Sequence, residues 1–216
     1  MKDLLIDYLG KAEGTHIHYN KGEFDITAPY GIYRHEHPGA AIFTYINTIA
    51  KKVGMDPDSS VWDNSDIDKM NSYLDHQIVI DLTKEFYDGY FKDSPLDNLP
   101  KDVYLAFYSV YTNSQVLGVK ALQMAFWNMK KSNAFEFKTE LSIVDGYNGS
   151  KTKRAAEEIK EACRVSTNPF LGLYLEALMI SSMKSLYIII TAKNPDRNLR
   201  SIRGWSNRLQ LLERMR

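Results

Sequence analysis

The chain has 216 residues, 44% of them hydrophobic and 12% aromatic, enough for one domain with a core of ordinary size and at most a small second lobe. Its 27 basic and 27 acidic residues cancel, so bulk charge makes no case for nucleic acid or a membrane surface as partner. A single cysteine, Cys163, excludes an intramolecular disulfide and points to a reducing compartment.

Leu4, Leu5, Tyr8, Leu9 and Ala12 recur at helical spacing and predict a helix over 2–13, stopped by Gly14. The stretch MKDLLIDYLGKAEG is too short and too acidic for a signal peptide, so a cytoplasmic product is expected. His16-Ile17-His18-Tyr19 alternates, Asn20-Lys21-Gly22 is turn chemistry, and Glu23-Phe24-Asp25-Ile26 alternates again, which predicts a β-hairpin. Pro38 opens a predicted helix to about 53, with Ile42, Tyr45, Ile46 and Ile49 on one face. Residues 63–91 read as helix in two pieces, and Pro95 and Pro100 bracket a loop. Helices follow over 103–111 and 114–129 with a break near Asn113, then a two-glycine loop, LSIVDGYNGS, over 141–150. Further helices are predicted at 151–163, 169–193 and 198–214.

The run 171–192 is the most apolar, but Glu176 and Lys184 interrupt it, so it reads as a buried helix and not as a membrane span. From 193 to 216 there are seven basic and two acidic residues, a pattern that reads as a solvated face able to meet an anionic surface. The fold class expected is mainly α, with one small β-hairpin near the N-terminus.

The chemistry concentrates at the first helix end. Two carboxylates flanking a sugar bond can hydrolyse it, one protonating the leaving oxygen while the other handles water or attacks. The acid must hold its proton near neutral pH. Glu13 falls at a predicted helix C-terminus, where the macrodipole disfavours its negative charge. Glu23 and Asp25, two apart on a predicted strand, share a face, and Thr27 joins them if the strand continues. Without further information the same residues read as a polar strand edge.

These residues stand in an order that resembles the phage and bacterial muramidases of glycoside hydrolase family 108. Glu13-Gly14 matches the family's Glu-Gly-Gly opening, with Thr15 in place of the second glycine, and Tyr30-Gly31-Ile32 matches its Tyr-Gly-Ile. Thr27 precedes Ala28-Pro29 where the family has a single asparagine, and either Glu23 or Asp25 stands for the family aspartate. Further on, Phe86-Tyr87 with Tyr90-Phe91, Leu99-Pro100 with 107–113, and Leu122-Gln123 look like later family blocks. Val144-Asp145-Gly146 with Gly149 and Thr152, and Gly204-Trp205 with Arg208, are similar to its peptidoglycan-binding region.

The resemblance implies a lysozyme-like helical domain over 1–140 and a helical peptidoglycan-binding region over 141–216 packed into the same domain. It implies a hydrolase, an endolysin-type muramidase, that cuts the β-1,4 bond between N-acetylmuramic acid and N-acetylglucosamine. Glu13 would be the general acid. Glu23 or Asp25, with Thr27, would position water. The hairpin placement favours inversion of the anomeric centre. No cofactor or metal is called for. The implied partner is bacterial peptidoglycan, with neither nucleic acid nor stable membrane insertion. A monomer is the default, reaching the wall after release during host lysis or by a secretion system.

His16 and His18 are candidates to line the sugar groove, Tyr30 and Tyr111 to stack on sugar rings, and Asn113 to bond an acetamido group. Two other functions compete. His16, His18, His35 and His37 fall within 22 residues, a density that suits a zinc-dependent cell-wall peptidase, although no His-Glu-x-x-His helix is present. The other is a lysozyme-like protein that binds the wall without cutting it. Trp205 and Asn207 are expected to pack the terminus down.

Overall fold

The computed structural model describes residues 2–20, 25–57, 62–165 and 170–215. The predicted turn at Lys21-Gly22, Glu23 and Arg216 lie outside the described residues, as does the side chain of Arg203. The chain forms two compact units, 1–92 and 93–216. The functional division expected at 140/141 falls inside the second. The fold is mainly α with one small antiparallel sheet near the N-terminus.

The first unit begins with α1 (Lys2–Glu13), whose Leu5, Ile6, Tyr8 and Leu9 are buried. Gly14 ends it at φ +87°, its N–H bonded to the Gly10 carbonyl, a left-handed stop that glycine adopts without steric cost. The sheet has β1 (His18–Asn20), β2 (Asp25–Ala28) and β3 (Ile32–Tyr33), in the order β1-β2-β3. The predicted hairpin is thus shifted about two residues along the chain and gains a third strand. Ile17, whose alternation suggested strand, is instead pinned by a side chain. Asn71 Oδ1 accepts its N–H at 2.8 Å, and Asn71 Nδ2 donates to its carbonyl at 3.1 Å.

Then come α2 (Ala41–Lys52), α3 (Asn64–Asn71) and α4 (His76–Phe91). Helix α2 starts three residues later than the Pro38 signal predicted, because residues 34–40 fold into hydrogen-bonded turns first. Its far end is closed by a Schellman arrangement, with Met55 N–H on the Ala50 carbonyl, Gly54 N–H on the Lys51 carbonyl and Gly54 at φ +82°. The predicted two pieces of 63–91 part at 72–75 because each has its own cap. Asp63 and Asp66 form a capping box on α3, and Asp75 Oδ1 accepts from Gln77 and Ile78 N–H at the start of α4.

The second unit contains α5 (Tyr104–Tyr111), α6 (Gln115–Lys131), α7 (Ser150–Val165), α8 (Leu171–Lys193) and α9 (Pro195–Arg214). The break at Asn113 is where predicted, with Ser114 Oγ capping α6. Helix α9 starts three residues earlier than predicted, with Pro195 at the first helical position, where its missing N–H loses no bond. Buried Phe107, Leu122, Phe126, Leu175, Met179 and Met183 belong to the core of this unit. Among the described residues α8 alone is long and apolar enough to cross a membrane by length and composition, yet part of its face is buried inside the protein.

Gln123, 2% exposed, ties the loop after α6 to the helices. Its Nε2 lies 2.9 Å from Asp145 Oδ1 and 3.2 Å from both the Tyr147 carbonyl and Thr152 Oγ1, while its Oε1 accepts Gly146 N–H at 2.9 Å. Gly146, at φ +81°, has no room for a side chain, since a Cβ there would stand 2.7 Å from Val116 Cγ1. Two blocks singled out in the sequence, Leu122-Gln123 and Val144 to Thr152, therefore meet in one hydrogen-bonded hub.

Candidate active site

Glu13 is the last residue of α1, half-buried, at the negative end of the helix. The chain turns away at Gly14 and returns sixteen residues later, where Tyr30 N–H bonds the Gly14 carbonyl at 2.9 Å. This return sets Gly31 directly on the Glu13 side chain. A Cβ at Gly31 would stand 2.7 Å from Glu13 Cγ and 3.1 Å from its Cδ. Gly31 is also at φ +79°, so the position requires glycine twice over.

Tyr30 adopts φ +64°, a left-handed conformation that costs an aromatic residue on the order of 1–3 kcal/mol and persists only where surroundings impose it. Three contacts do so. Besides the Gly14 bond, the Tyr30 carbonyl accepts the Tyr87 hydroxyl at 3.0 Å, and its ring lies against α1 at Gly10. A Cβ on Gly10 would be 3.2 Å from that ring's Cε1. Tyr87 comes from α4, so the backbone beside Glu13 is fixed from two helices.

In the sheet, His18 pairs with Thr27, Asn20 with Asp25, and Thr27 with Tyr33. Directly opposed residues share a face, so His18, Asp25, Thr27 and Tyr33 lie on one side while Ile26 and Ala28 are buried on the other. The shared face expected for Asp25 and Thr27 is present. Asp25 Oδ2 accepts the backbone N–H of His35 at 2.8 Å and meets its ring Nδ1 at 3.0 Å. His35 thus orients the carboxylate through two contacts to one oxygen. His18 Nε2 would sit 3.2 Å from a Cβ on Gly14, which brings the imidazole against the turn that follows Glu13.

His16 and His18 line an open cavity of about 630 Å³ with Tyr19, Asn64, Asp68 and Asn71. Asn71 and Asp68 had no signal in the sequence: each is an ordinary polar helix residue, brought beside the histidines where Asn71 bonds Ile17.

The chain matches no family model, no curated protein and no solved structure.

The four histidines expected as a possible zinc set fall into two pairs, His16 with His18 on one cavity and His35 with His37, each ring 3.9 Å from the Glu36 carboxylate. His16 faces His76 edge-on at 6.3 Å, His35 is on Asp25, and His37 lies edge-on to Phe86 at 4.9 Å. Among the described residues no group of three or more His, Cys, Asp or Glu side chains is arranged to hold a metal ion.

Tyr30 and Tyr111 were expected to offer ring faces to sugars; both are instead core residues, each 5% exposed. A chain break is not by itself an exposed place. Burial raises the phenol pKa of both, and for Tyr111 the nearby Asp93 adds to the rise. Tyr111 stacks on Phe107 at 4.9 Å, and Gly118 leaves room for its backbone. Asn113 Nδ2 donates to the Ser109 carbonyl at 2.8 Å, which makes it a cap for the end of α5. Trp205 stacks on Tyr187 at 4.5 Å, a packing role, while Asn207 is exposed.

Proposed function

We propose that this chain is a peptidoglycan hydrolase, an N-acetylmuramidase of the lysozyme type, with Glu13 as general acid. One observation carries the reading: the Glu13 side chain is clamped by Gly31, in a turn whose Tyr30 is held in a strained conformation from two helices. Strain fixed by several elements around one carboxylate is typical of a site where chemistry needs a set geometry. The two blocks that resemble family 108 muramidases, Glu13-Gly14 and Tyr30-Gly31-Ile32, are the two partners in this contact, and their meeting supports a shared role.

In this reading Glu13 donates its proton to the leaving oxygen of the glycosidic bond. Asp25 is the second carboxylate, oriented by His35, and Thr27 on the same strand face holds the water. His18 and His16 border the sugar-binding cavity. The protein acts on the wall after release from the cytoplasm.

The test is digestion of purified peptidoglycan by wild type and Glu13→Gln, with products reduced by borohydride and weighed by mass spectrometry. Muropeptides with reduced muramic acid ends from wild type, and none from a folded Glu13→Gln, are expected. Free stem peptides, or no cleavage by wild type, would overturn the reading.

A further inference from the structure

Helix α8 exposes a face that is mostly apolar, with Lys184 its one charge. Phe170, just before the helix, and Leu173, Tyr174, Ile188 and Ile189 on it are 67%, 43%, 38%, 64% and 47% exposed. Between them the face carries Ala177, Ser181 and Ser185, and Ala192 continues it. Three exposed pairs match in size about Ser181, while Phe170 stands opposite Ala192 and Lys184 opposite Leu178. Position 173 mirrors 189, 174 mirrors 188, and 177 mirrors 185, with large apolar residues at both ends and small ones in the middle.

We infer that α8 is the contact of a homodimer, two copies packing antiparallel about a two-fold axis at Ser181. A two-fold contact needs a self-complementary patch, in which residue i of one copy meets residue j of the other and the reverse. Here Leu173 and Tyr174 of one copy meet Ile189 and Ile188 of its partner. The small central residues let the axes approach to about 8–10 Å, the spacing of packed helices.

The chemistry of the face tolerates burial. Ser185 Oγ donates to the Ser181 carbonyl at 3.1 Å, so its hydroxyl needs no water. Lys184, the one exposed charge between the two large apolar ends, is paired with Glu213 of the same chain at 2.7 Å. Side chains of this size carry on the order of 200 Å² each, so the five large ones at 38–67% exposure present about 500 Å² per chain. Two copies would cover roughly 1,000 Å², the threshold of a specific interface, before the small residues are added.

A second copy suits this face better than a lipid surface. A helix lying on a membrane is apolar along its middle and cationic on its flanks. Here the middle is Ala177, Ser181 and Ser185, and of the two exposed lysines of α8 Lys184 is paired with Glu213 while Lys193 ends the helix beyond the apolar residues.

The test is sedimentation of the full chain over a concentration series. Mass rising toward twice 24.8 kDa is expected, and Ser181→Glu, which sets like charges across the axis, should raise the dissociation constant at least tenfold while leaving the circular dichroism unchanged. In a Cys163→Ser background, Ser181→Cys should oxidise to a covalent dimer and Ser150→Cys, on α7, should not. A monomer at about 100 µM with no cross-link at 181 would overturn the inference. So would binding to phosphatidylglycerol vesicles that Ser181→Glu abolishes in a chain that stays monomeric.

Discussion

The Glu13 corner of the first unit and the Gln123 hub of the second both join stretches distant in sequence, but by opposite means. At Gln123 a neutral amide, almost fully buried, faces acceptors and a donor at 2.9 to 3.4 Å, and the glycine beside it makes room for a loop. A satisfied buried hub of this kind specifies one arrangement of the chain. At Glu13 the grip is on the carbon stem of a half-buried carboxylate, and the conformational cost falls on Tyr30, an aromatic residue held at φ +64°. The first arrangement serves the fold. The second spends conformational energy to hold one ionisable group, and that contrast is the main reason for assigning chemistry to the first unit.

The sharpest way to break this comparison is Glu13→Gln. If the corner is catalytic, muropeptide release falls about 10²–10⁴-fold, the usual worth of a general acid, while thermal unfolding stays within a degree or two of wild type. Equal losses of activity and stability would make Glu13 another structural hub.

Gly31→Ala should be next in size. It forces alanine into a left-handed conformation, a cost of roughly 1–2 kcal/mol, and adds a methyl 2.7 Å from Glu13 Cγ. A loss of at least about 2 kcal/mol in urea unfolding is expected, with activity lost at temperatures where the protein remains folded, because Glu13 must move. If activity per folded molecule is unchanged, the clamp does not matter to function.

Gln123→Ala gives the counterpart in the second unit. It takes the acceptor from the Gly146 N–H and one donor each from the Asp145 carboxylate and the Tyr147 carbonyl, at about 1–3 kcal/mol for such a deletion. Activity per folded molecule should be unchanged, so Glu13→Gln and Gln123→Ala separate function from stability in opposite directions.

How much of this was legible in the sequence depends on the kind of signal. Helices with strong apolar periodicity and local punctuation were readable, as with α1 and its Gly14 stop or the break between α5 and α6 at Asn113 and Ser114. Glu13 at a helix end was readable for the same reason. The two-residue strand β3 was not, because Ile32-Tyr33 carries no alternation of its own and becomes strand only by pairing with Thr27 and Ala28. Nor was the bond from Asn71 to Ile17, since nothing local marks a partner 54 residues away. Tyr30 and Tyr111 misled: a tyrosine at a break between elements suggested an exposed ring, yet both tyrosines are buried, Tyr30 against Gly10 of α1 and Tyr111 on Phe107. The Gly31 contact lay between these cases. Its glycine was visible in Tyr30-Gly31-Ile32, but only the fold shows that the space it leaves belongs to Glu13.

The smallest effect sharpens the hub itself. Asp145 has its carboxyl pKa held below the ordinary 3.8, first by the Tyr147 backbone N–H and then by the Gln123 amide, with burial opposing. A carboxylate whose pKa is lower folded than unfolded adds stability above the unfolded value and loses it as pH falls through the folded one. Asp145 therefore supports the loop at neutral pH and loses that support progressively as pH falls below about 4. Asp145→Asn should lower the melting temperature slightly at pH 7 and flatten its decline below about pH 4, where wild type loses this contribution. An acid limb identical in both proteins would mean that Gln123 and Gly146 set the loop unaided, and the hub would then owe nothing to charge.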